Sequence, residues 1–200
     1  TVESLATFDY ILAIDADEAL SEQLQQSIIQ LKNNWINDGY FVARKTNYCG
    51  KWINHSGWYP DRKLRLYKRG SGQWEGKYVH EKYALKDGQT IGKIKGDLLH
   101  YSYYNESDHW ERTSKYAELS ALELFEEDRK SNYIHAYFKA VVKFIRVYFF
   151  NFGFLDGKKG LAICRVTAWG TYKKYALLLQ MKRESPDLGV LHLSSAKSWR

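Results

Sequence analysis

The stretch Tyr10–Glu18 limits the fold of this chain more than any other part of the sequence. An apolar run of five residues is followed at once by three acids, Asp15, Asp17 and Glu18. A short aliphatic run that ends in charge is typical of a buried strand in an α/β sheet. Ligands of such sheets lie beyond the carboxyl ends of the strands. The sequence therefore predicts a strand over residues 8–15 with a ligand site at its end.

Asp15 and Asp17 form an Asp-x-Asp pair. Residues two apart in an extended strand share a face, whereas Glu18 would point away from it. Two carboxylates at a strand end suit Mg²⁺ or Mn²⁺ held jointly with substrate phosphates. Acids are also common in turns, and Ser21 can cap a following helix. An ordinary turn from strand to helix is therefore the alternative interpretation.

The hydrophobic pattern of the first half predicts a helix and several strands. The helix covers 21–35, and the strands cover 40–44, 60–69 and 74–81, with a strand or strand pair over 91–101 and an aromatic loop over 48–59. In the strand 60–69, Lys63 and Arg65 alternate with leucines, which indicates a half-buried strand with a basic outer face. Arg62, Lys63 and Arg65 are then candidates for contacts with phosphate or sugar, or they form an ordinary solvated face.

His80, Glu81 and His100 are predicted at the ends of strands. A single histidine is more often a structural residue than a ligand. Two histidines and a glutamate in a chain that also carries an Asp-x-Asp pair favour a functional site.

Beyond residue 105 the pattern becomes helical, which predicts a domain boundary there. We expect a catalytic domain over 1–105, a helical subdomain over 106–184 and a tail over 185–200. Helices are predicted from Ser107 to about 128–132, over 133–154 and over 159–181. Residues 131–183 hold ten Lys and Arg and one acid, Asp156, so the charge of this segment is +9. The net charge of the chain is +7, so the remaining residues together carry −2.

This local basicity argues against a protein that coats nucleic acid and favours a local anionic partner. Lys139, Lys143 and Arg146 recur at helical spacing beside many aromatic residues. Such a helix is typical of one that lies in a membrane interface, and an ordinary helix pair that packs on the catalytic core is the alternative. We expect a peripheral protein at an anionic membrane surface.

Two cysteines, Cys49 and Cys164, indicate no disulfide framework and favour a reducing compartment. The chain has no initiator methionine and no signal peptide pattern. Residues 1–6 read like the end of a helix, so we expect that an N-terminal part is missing.

Five blocks of sequence, in order, resemble bacterial family-2 glycosyltransferases of lipopolysaccharide core and surface-polysaccharide biosynthesis. The blocks are D-A-D-E at 15–18, G-W-Y-P-D-R-K-L-R-L-Y at 57–67, G-K-Y-V-H-E at 76–81, G-D-L-L-H-Y-S-Y at 96–103 and N-F-G-F-L-D-G-x-x-G at 151–160. The resemblance covers about residues 8–180. It implies an α/β fold, the C-terminal portion of a GT-A nucleotide-sugar domain followed by a basic, aromatic helical appendage.

The resemblance also implies roles for individual residues. Asp15 and Asp17 match the metal-binding Asp-x-Asp, and His100 lies where many members supply a further metal ligand. Glu81 matches the general base of inverting members. Because His80–Glu81 replaces the commoner acidic doublet, Asp61 is the substitute candidate.

Further candidates for contacts to substrate are chosen for their aromatic or basic side chains: Trp58, Tyr59, Arg62, Lys63, Arg65 and His80. The expected activity is metal-dependent, inverting transfer of a sugar from a nucleotide-sugar donor to a glycan or glycolipid acceptor. The expected location is cytoplasmic, on the inner face of the cytoplasmic membrane, without nucleic acid as a partner. The alternatives are a non-catalytic basic–aromatic module for anionic polysaccharide or nucleic acid, and a transferase that is inactive or truncated.

Overall fold

The computed structural model describes residues 5–75 and 82–184, whose contacts divide into two compact units. The first unit extends to Asn54 and resumes from Trp58 to Ser102. The second holds His55–Gly57 and the described residues from Tyr103 onward. The predicted roles of these parts of the chain, as a catalytic domain and a helical subdomain, stay predictions.

The first unit is built from strands around one helix, α1 (Glu22–Leu31). Its strands are β1 (Tyr10–Leu12), β2 (Glu18–Leu20), β3 (Gly39–Tyr48), β4 (Lys51–Trp52), β5 (Asp61–Lys68), β6 (Gly72–Glu75), β7 (Lys82–Leu85) and β8 (Ile91–Tyr103). The main sheet has the order β1-β5-β3-β8-β2, with β4 paired to β3, and β6 and β7 form a second sheet.

Helix α1 packs on the main sheet through Leu24, which is fully buried against Val42 of β3 and Leu98 of β8. Its start is fixed by Ser21, whose Oγ accepts a hydrogen bond from the Leu24 amide at 3.3 Å. The same Oγ accepts from the Asp97 amide at 2.9 Å. Ser21 is therefore the helix cap that the sequence predicts, and it also joins α1 to β8.

Two local expectations for the first unit are wrong. The strand predicted over 8–15 is only β1, which is half-buried and lies at the end of the sheet. Strand β5 has no basic outer face at Arg65, because Asp15 and Glu18 contact this side chain and the residue is only 9% exposed. The pairings of β1 with β5, β5 with β3, β3 with β4, and β2 with β8 are antiparallel.

The second unit is helical. It contains α2 (Glu106–Glu126), α3 (Tyr133–Ile145) and α4 (Gly157–Glu184), with a π-helical turn at Arg146–Phe150 and a 3-10 turn at Gly153–Asp156. Asn105 and Asn132 cap α2 and α3, each accepting a hydrogen bond from the amide three residues on. Small buried residues lie in all three helices, among them Ala121, Ala136 and Gly170, and Trp110 of α2 contacts Trp169 of α4 with ring centroids 4.9 Å apart.

The predicted helix over 133–154 is shorter than expected. Regular α-helix ends at Ile145, and the chain continues in the π-helical turn before it breaks at Asn151. Within the described residues, none of the helices is both long enough and apolar enough to cross a membrane. A mixed α/β chain with C-terminal helices agrees with the predicted fold class, and the GT-A assignment stays a prediction.

Candidate functional site

A tight turn carries the Asp-x-Asp pair from β1 into β2. The Glu18 amide donates to the Asp15 carbonyl at 3.0 Å, and the Asp15 amide donates to Glu18 Oε2 at 2.9 Å. Because the chain turns here, Asp15 and Asp17 do not share the face of a strand. Each carboxylate instead has its own partner from a distant part of the chain.

Asp17 lies beside His100. Strand β2 pairs with β8 so that Glu18 is opposite His100, and the Tyr101 amide donates to the Asp17 carbonyl at 2.9 Å. His100 Nε2 lies 3.3 Å from Asp17 Oδ2, and Thr46 Oγ1 lies 3.4 Å from Nδ1. The sheet register therefore places these two predicted ligands in contact.

The environment of His100 favours a neutral ring. Burial, followed by the charge of Arg44, lowers the pKa of this imidazole, while Asp17 and Glu18 act in the opposite direction. A neutral imidazole keeps a lone pair for a metal or a hydrogen-bond donor.

Asp15 is paired with Arg65 of β5. Arg65 Nη2 contacts Asp15 Oδ2 at 2.5 Å and Glu18 Oε1 at 3.2 Å. The Asp15 side chain is 54% exposed, whereas the Glu18 side chain is fully buried. Arg65 Nε is buried without a hydrogen-bond partner among the described residues. The contact with Arg65 therefore fixes the orientation of the Asp15 carboxylate.

Asp61 belongs to the same cluster. Arg44 donates to Asp61 Oδ2 through Nη2 at 2.7 Å and through Nε at 3.1 Å, and its Nη1 lies 3.5 Å from Glu18 Oε1. Lys63 Nζ lies 3.3 Å from Asp61 Oδ1. Both oxygens of this candidate base thus face cations.

The other residues that are predicted to contact substrate differ in how exposed their side chains are. Arg62 is exposed, while Trp58 and Tyr59 are half-buried. Tyr59 donates to Asp97 Oδ1 at 2.9 Å, and burial followed by this hydrogen bond raises its pKa. Trp58 contacts the ring of Tyr48 edge-on, with centroids 5.7 Å apart. His80 and Glu81 lie outside the described residues, so their predicted roles stay predictions.

The described residues supply only part of a cation site. The described residues contain no group of three or more His, Cys, Asp and Glu positioned to hold a metal. They do offer the Asp17 carboxylate beside the His100 imidazole, with the half-exposed Asp15 carboxylate on the same turn. Mg²⁺ is commonly held by one or two carboxylates together with substrate phosphates. Because Asp15 is already paired with Arg65, a cation at Asp17 and His100 stays a prediction.

Sequence reasoning missed Glu18, Arg44 and Thr46, which contact the predicted residues. The expectation that Glu18 points away from the site is wrong, because the turn directs it inward to Arg65 and Arg44. Arg44 and Thr46 share one face of β3, but Lys45 and Asn47 on the other face are polar as well, so the alternation gave no signal for this face.

Comparison with known proteins finds a similarity to a curated glycosyltransferase. The chain is 27% identical over 175 residues to the lipopolysaccharide core biosynthesis glycosyltransferase LpsC of Rhizobium meliloti (strain 1021). The aligned part covers 82% of this chain and 64% of that protein, so the chain spans slightly less than two thirds of the length of this curated relative. No protein-family model matches the chain.

Proposed function

We propose that this chain is part of a glycosyltransferase that moves a sugar from a nucleotide-sugar donor to a glycan or glycolipid acceptor in lipopolysaccharide or surface-polysaccharide biosynthesis. The similarity to a lipopolysaccharide core glycosyltransferase over 82% of the chain carries this proposal. The contact between Asp17 and His100 supports it, because it joins two residues to which the family resemblance assigns one role.

In this proposal Asp17, His100 and Asp15 hold Mg²⁺ or Mn²⁺ together with the donor diphosphate. A bound cation supplies Lewis acidity that stabilises negative charge on a departing diphosphate. Arg65 acts as a positioning residue, since it contacts Asp15 and is itself buried. The exposed Arg62 and the partly exposed Lys63 contribute further positive charge for phosphate or acceptor.

The acceptor hydroxyl must lose its proton as it attacks the sugar. Glu81 is the proposed general base in a single inverting displacement, and Asp61 is the substitute. Asp61 would have to exchange a contact with Arg44 or Lys63 for the acceptor hydroxyl, which makes it the less suitable of the two. Trp58, Tyr59 and His80 are proposed to contact the substrate.

We place this reaction in the cytoplasm, at the inner face of the cytoplasmic membrane, with an anionic lipid surface as a partner and without nucleic acid. Lys139 and Lys143 of α3 form no ion pair with a described residue, and Tyr137 and Phe138 are exposed on the same helix, which supports this location. A non-catalytic module for anionic polysaccharide or nucleic acid is the alternative, and it predicts polyanion binding that does not depend on Asp17.

Calorimetric titration with UDP and GDP, with and without Mn²⁺, tests the proposal. We expect binding of one nucleotide that requires Mn²⁺ and that Asp17→Asn weakens at least tenfold, since one of the few protein ligands is lost. Asp87→Asn is the matched control, because Asp87 is an exposed acid in a turn of the same unit. Equal binding by both variants, or binding of polyanions alone, would contradict the proposal.

A further inference from the structure

Helix α3 exposes a continuous apolar stripe, which we call the outer stripe. Its members recur at spacings of three and four, so they lie on one helical face. They are Ile134, Tyr137, Phe138, Val141, Val142 and Ile145, with exposed fractions of 82%, 67%, 62%, 36%, 43% and 41%. A stripe of this spacing is normally the buried side of a helix.

The outer stripe is not the face by which α3 packs within its own unit. Ala136 is fully buried on the opposite side of the helix, where α3 contacts α4, and Val147 in the π-helical turn that follows is 4% exposed. Helix α3 is therefore apolar on two sides, and only one of them is covered by described residues.

Aromatic rings extend this apolar surface into the turns after α3. Phe144 stacks on Tyr148 at 5.5 Å, and Tyr148 contacts Phe149 at 5.0 Å and Phe154 at 6.1 Å between ring centroids. Phe149 and Phe154 are 55% and 44% exposed. Exposed apolar patches of this extent mark sites of protein or membrane contact rather than ordinary surface.

The charges beside the outer stripe indicate what covers it. Lys139 and Arg146 are exposed along one edge, and Lys143 is half-buried between them. None of these three forms an ion pair with a described residue. Lysines of α4 behave differently, because Lys159, Lys173 and Lys182 pair with Glu106, Glu118 and Asp128.

Positive charges of the π-helical turn and of α4 lie close to Lys143 of α3. Burial, followed by the charges of Arg146 and Lys174, lowers the pKa of Lys143. An anionic partner would relieve this repulsion, whereas a neutral apolar partner would not. A row of unpaired cations along an aromatic stripe matches the headgroup and acyl layers of an anionic bilayer.

We propose that the outer stripe of α3 is a docking surface for an anionic lipid bilayer. Tyr137, Phe138 and Phe149 enter the boundary between headgroups and acyl chains, and Lys139 and Arg146 contact lipid phosphates. The 13 residues of the helix span about 20 Å at 1.5 Å per residue, which is too short to cross a hydrocarbon core of about 30 Å. The helix therefore lies in the plane of the surface, with the outer stripe toward the lipid. The docking surface rests on the proposed membrane location and names the residues that make the contact. Its test uses neither donor nor acceptor, so the docking surface and the proposed transferase activity can fail separately.

Flotation of the whole chain with vesicles of phosphatidylglycerol and phosphatidylcholine, compared with phosphatidylcholine alone, tests the docking surface. We expect binding to the anionic vesicles that falls steeply with added salt. The double variant Ile134→Gln/Phe138→Gln should lower the partition coefficient by on the order of tenfold or more, because two inserted apolar side chains are lost. Lys139→Gln/Arg146→Gln should lower it roughly thirtyfold at low salt, because two cations near the surface are lost.

Matched controls come from α2. Leu119 and Leu122 are exposed leucines, 39% and 47%, and Lys115 is an exposed lysine of the same unit. Leu119→Gln/Leu122→Gln and Lys115→Gln should leave binding within twofold, and circular dichroism checks that every variant is folded. No flotation with anionic vesicles at low salt would overturn the proposal, as would equal loss in the controls. A lipid-free dimer that becomes a monomer in Ile134→Gln/Phe138→Gln would also overturn it, since the stripe would then bind a second copy.

Discussion

At the scale of single residues, Glu18 holds the candidate site together. Its buried carboxylate contacts Arg65 at 3.2 Å and Arg44 at 3.5 Å, and it accepts a hydrogen bond from the Asp15 amide at 2.9 Å. Through these contacts one side chain fixes the turn that carries Asp15 and the arginine that orients it. A carboxylate this deeply buried is tolerated only when it is paired.

Replacement of Glu18 by glutamine should therefore destabilise the chain strongly. The substitution leaves the buried Arg65 with the half-exposed Asp15 as its remaining anionic partner, and breaking a buried pair costs about 3 kcal/mol or more. Urea denaturation followed by fluorescence measures the loss. Asp61→Asn is the comparison, since both partners of its pair with Arg44 are partly exposed, and we expect a loss of about 1 kcal/mol or less. Similar losses in the two variants would contradict this role of Glu18.

At the scale of elements, the N-terminus of α4 is fixed by close packing and by Asp156. This side chain is 2% exposed and accepts hydrogen bonds from the His55 amide at 3.0 Å and from Ser56 Oγ at 2.9 Å. A Cβ at Gly160 would collide with the carbonyl oxygen of Gly153 and lie 2.8 Å from Asp156 Cβ. Close packing at Gly160 and the hydrogen bonds of Asp156 therefore give a structural explanation for part of the N-F-G-F-L-D-G-x-x-G block at 151–160.

Gly160→Ala should destabilise the second unit although alanine is the better helix former. The propensity gain of about 1 kcal/mol is smaller than the expected cost of about 2 to 3 kcal/mol for pressing a methyl group on backbone. Gly170→Ala is the matched control within α4, because the one close neighbour of its Cβ is a methyl group of the Thr113 side chain. Thermal denaturation should show a clearly larger loss for Gly160→Ala, and a stabilised variant would refute the packing argument.

Helix α2 carries a buried histidine whose titration affects stability. His109 is 4% exposed, and burial lowers its pKa from 6.5 to about 4, with Glu106 acting weakly in the opposite direction. As the pH falls below 6.5, the unfolded chain binds a proton that the folded chain excludes until about pH 4. The free energy of unfolding should thus fall by up to about 3 kcal/mol across this window.

Urea denaturation between pH 7 and pH 4.5 measures this effect as a difference between the wild type and His109→Gln. Carboxylates titrate in both proteins and cancel in the difference, so the variant should show the shallower loss. Parallel curves would mean that His109 is not the group responsible.

Periodicity in the sequence located most of these elements and few of their contacts. Helices α1, α2 and α4 and strands β3, β5 and β8 were predicted because each has enough alternating or helical positions to reveal its period. Strands β1 and β2 have three residues each, too few for a period. The burial of Arg65 could not be predicted, because its partners Asp15 and Glu18 lie far away in the chain and the leucines of β5 indicated only one covered face. Contact between Asp17 and His100 was expected from the family resemblance rather than from any local pattern.

At the scale of the whole molecule, the two units differ in charge and in the sites they carry. The +9 of residues 131–183 lies in the second unit, whereas Asp15, Asp17 and His100 all lie in the first. A ligand that binds only the folded form of one unit stabilises that unit by mass action. The proposed cation site and the proposed lipid surface can therefore be distinguished by the unit that responds.

In the presence of Mn²⁺, the nucleotide that binds should raise the melting temperature of the first unit. At a hundred times its dissociation constant, the nucleotide stabilises the folded form by about 2.7 kcal/mol, which for a chain of this size corresponds to roughly 5 to 10 °C. Differential scanning calorimetry measures the shift, and if the units melt separately, only the transition of the first unit should move. Asp17→Asn should abolish the shift, Asp87→Asn should retain it, and a chelator should reverse it. The size of the effect is expected to be limited by Arg65, because a cation that engages Asp15 must share its carboxylate with that guanidinium. An unchanged melting curve with Mn²⁺ and nucleotide together would contradict a cation site that the diphosphate completes, and a shift that persists in Asp17→Asn would place the bound cation elsewhere in the molecule.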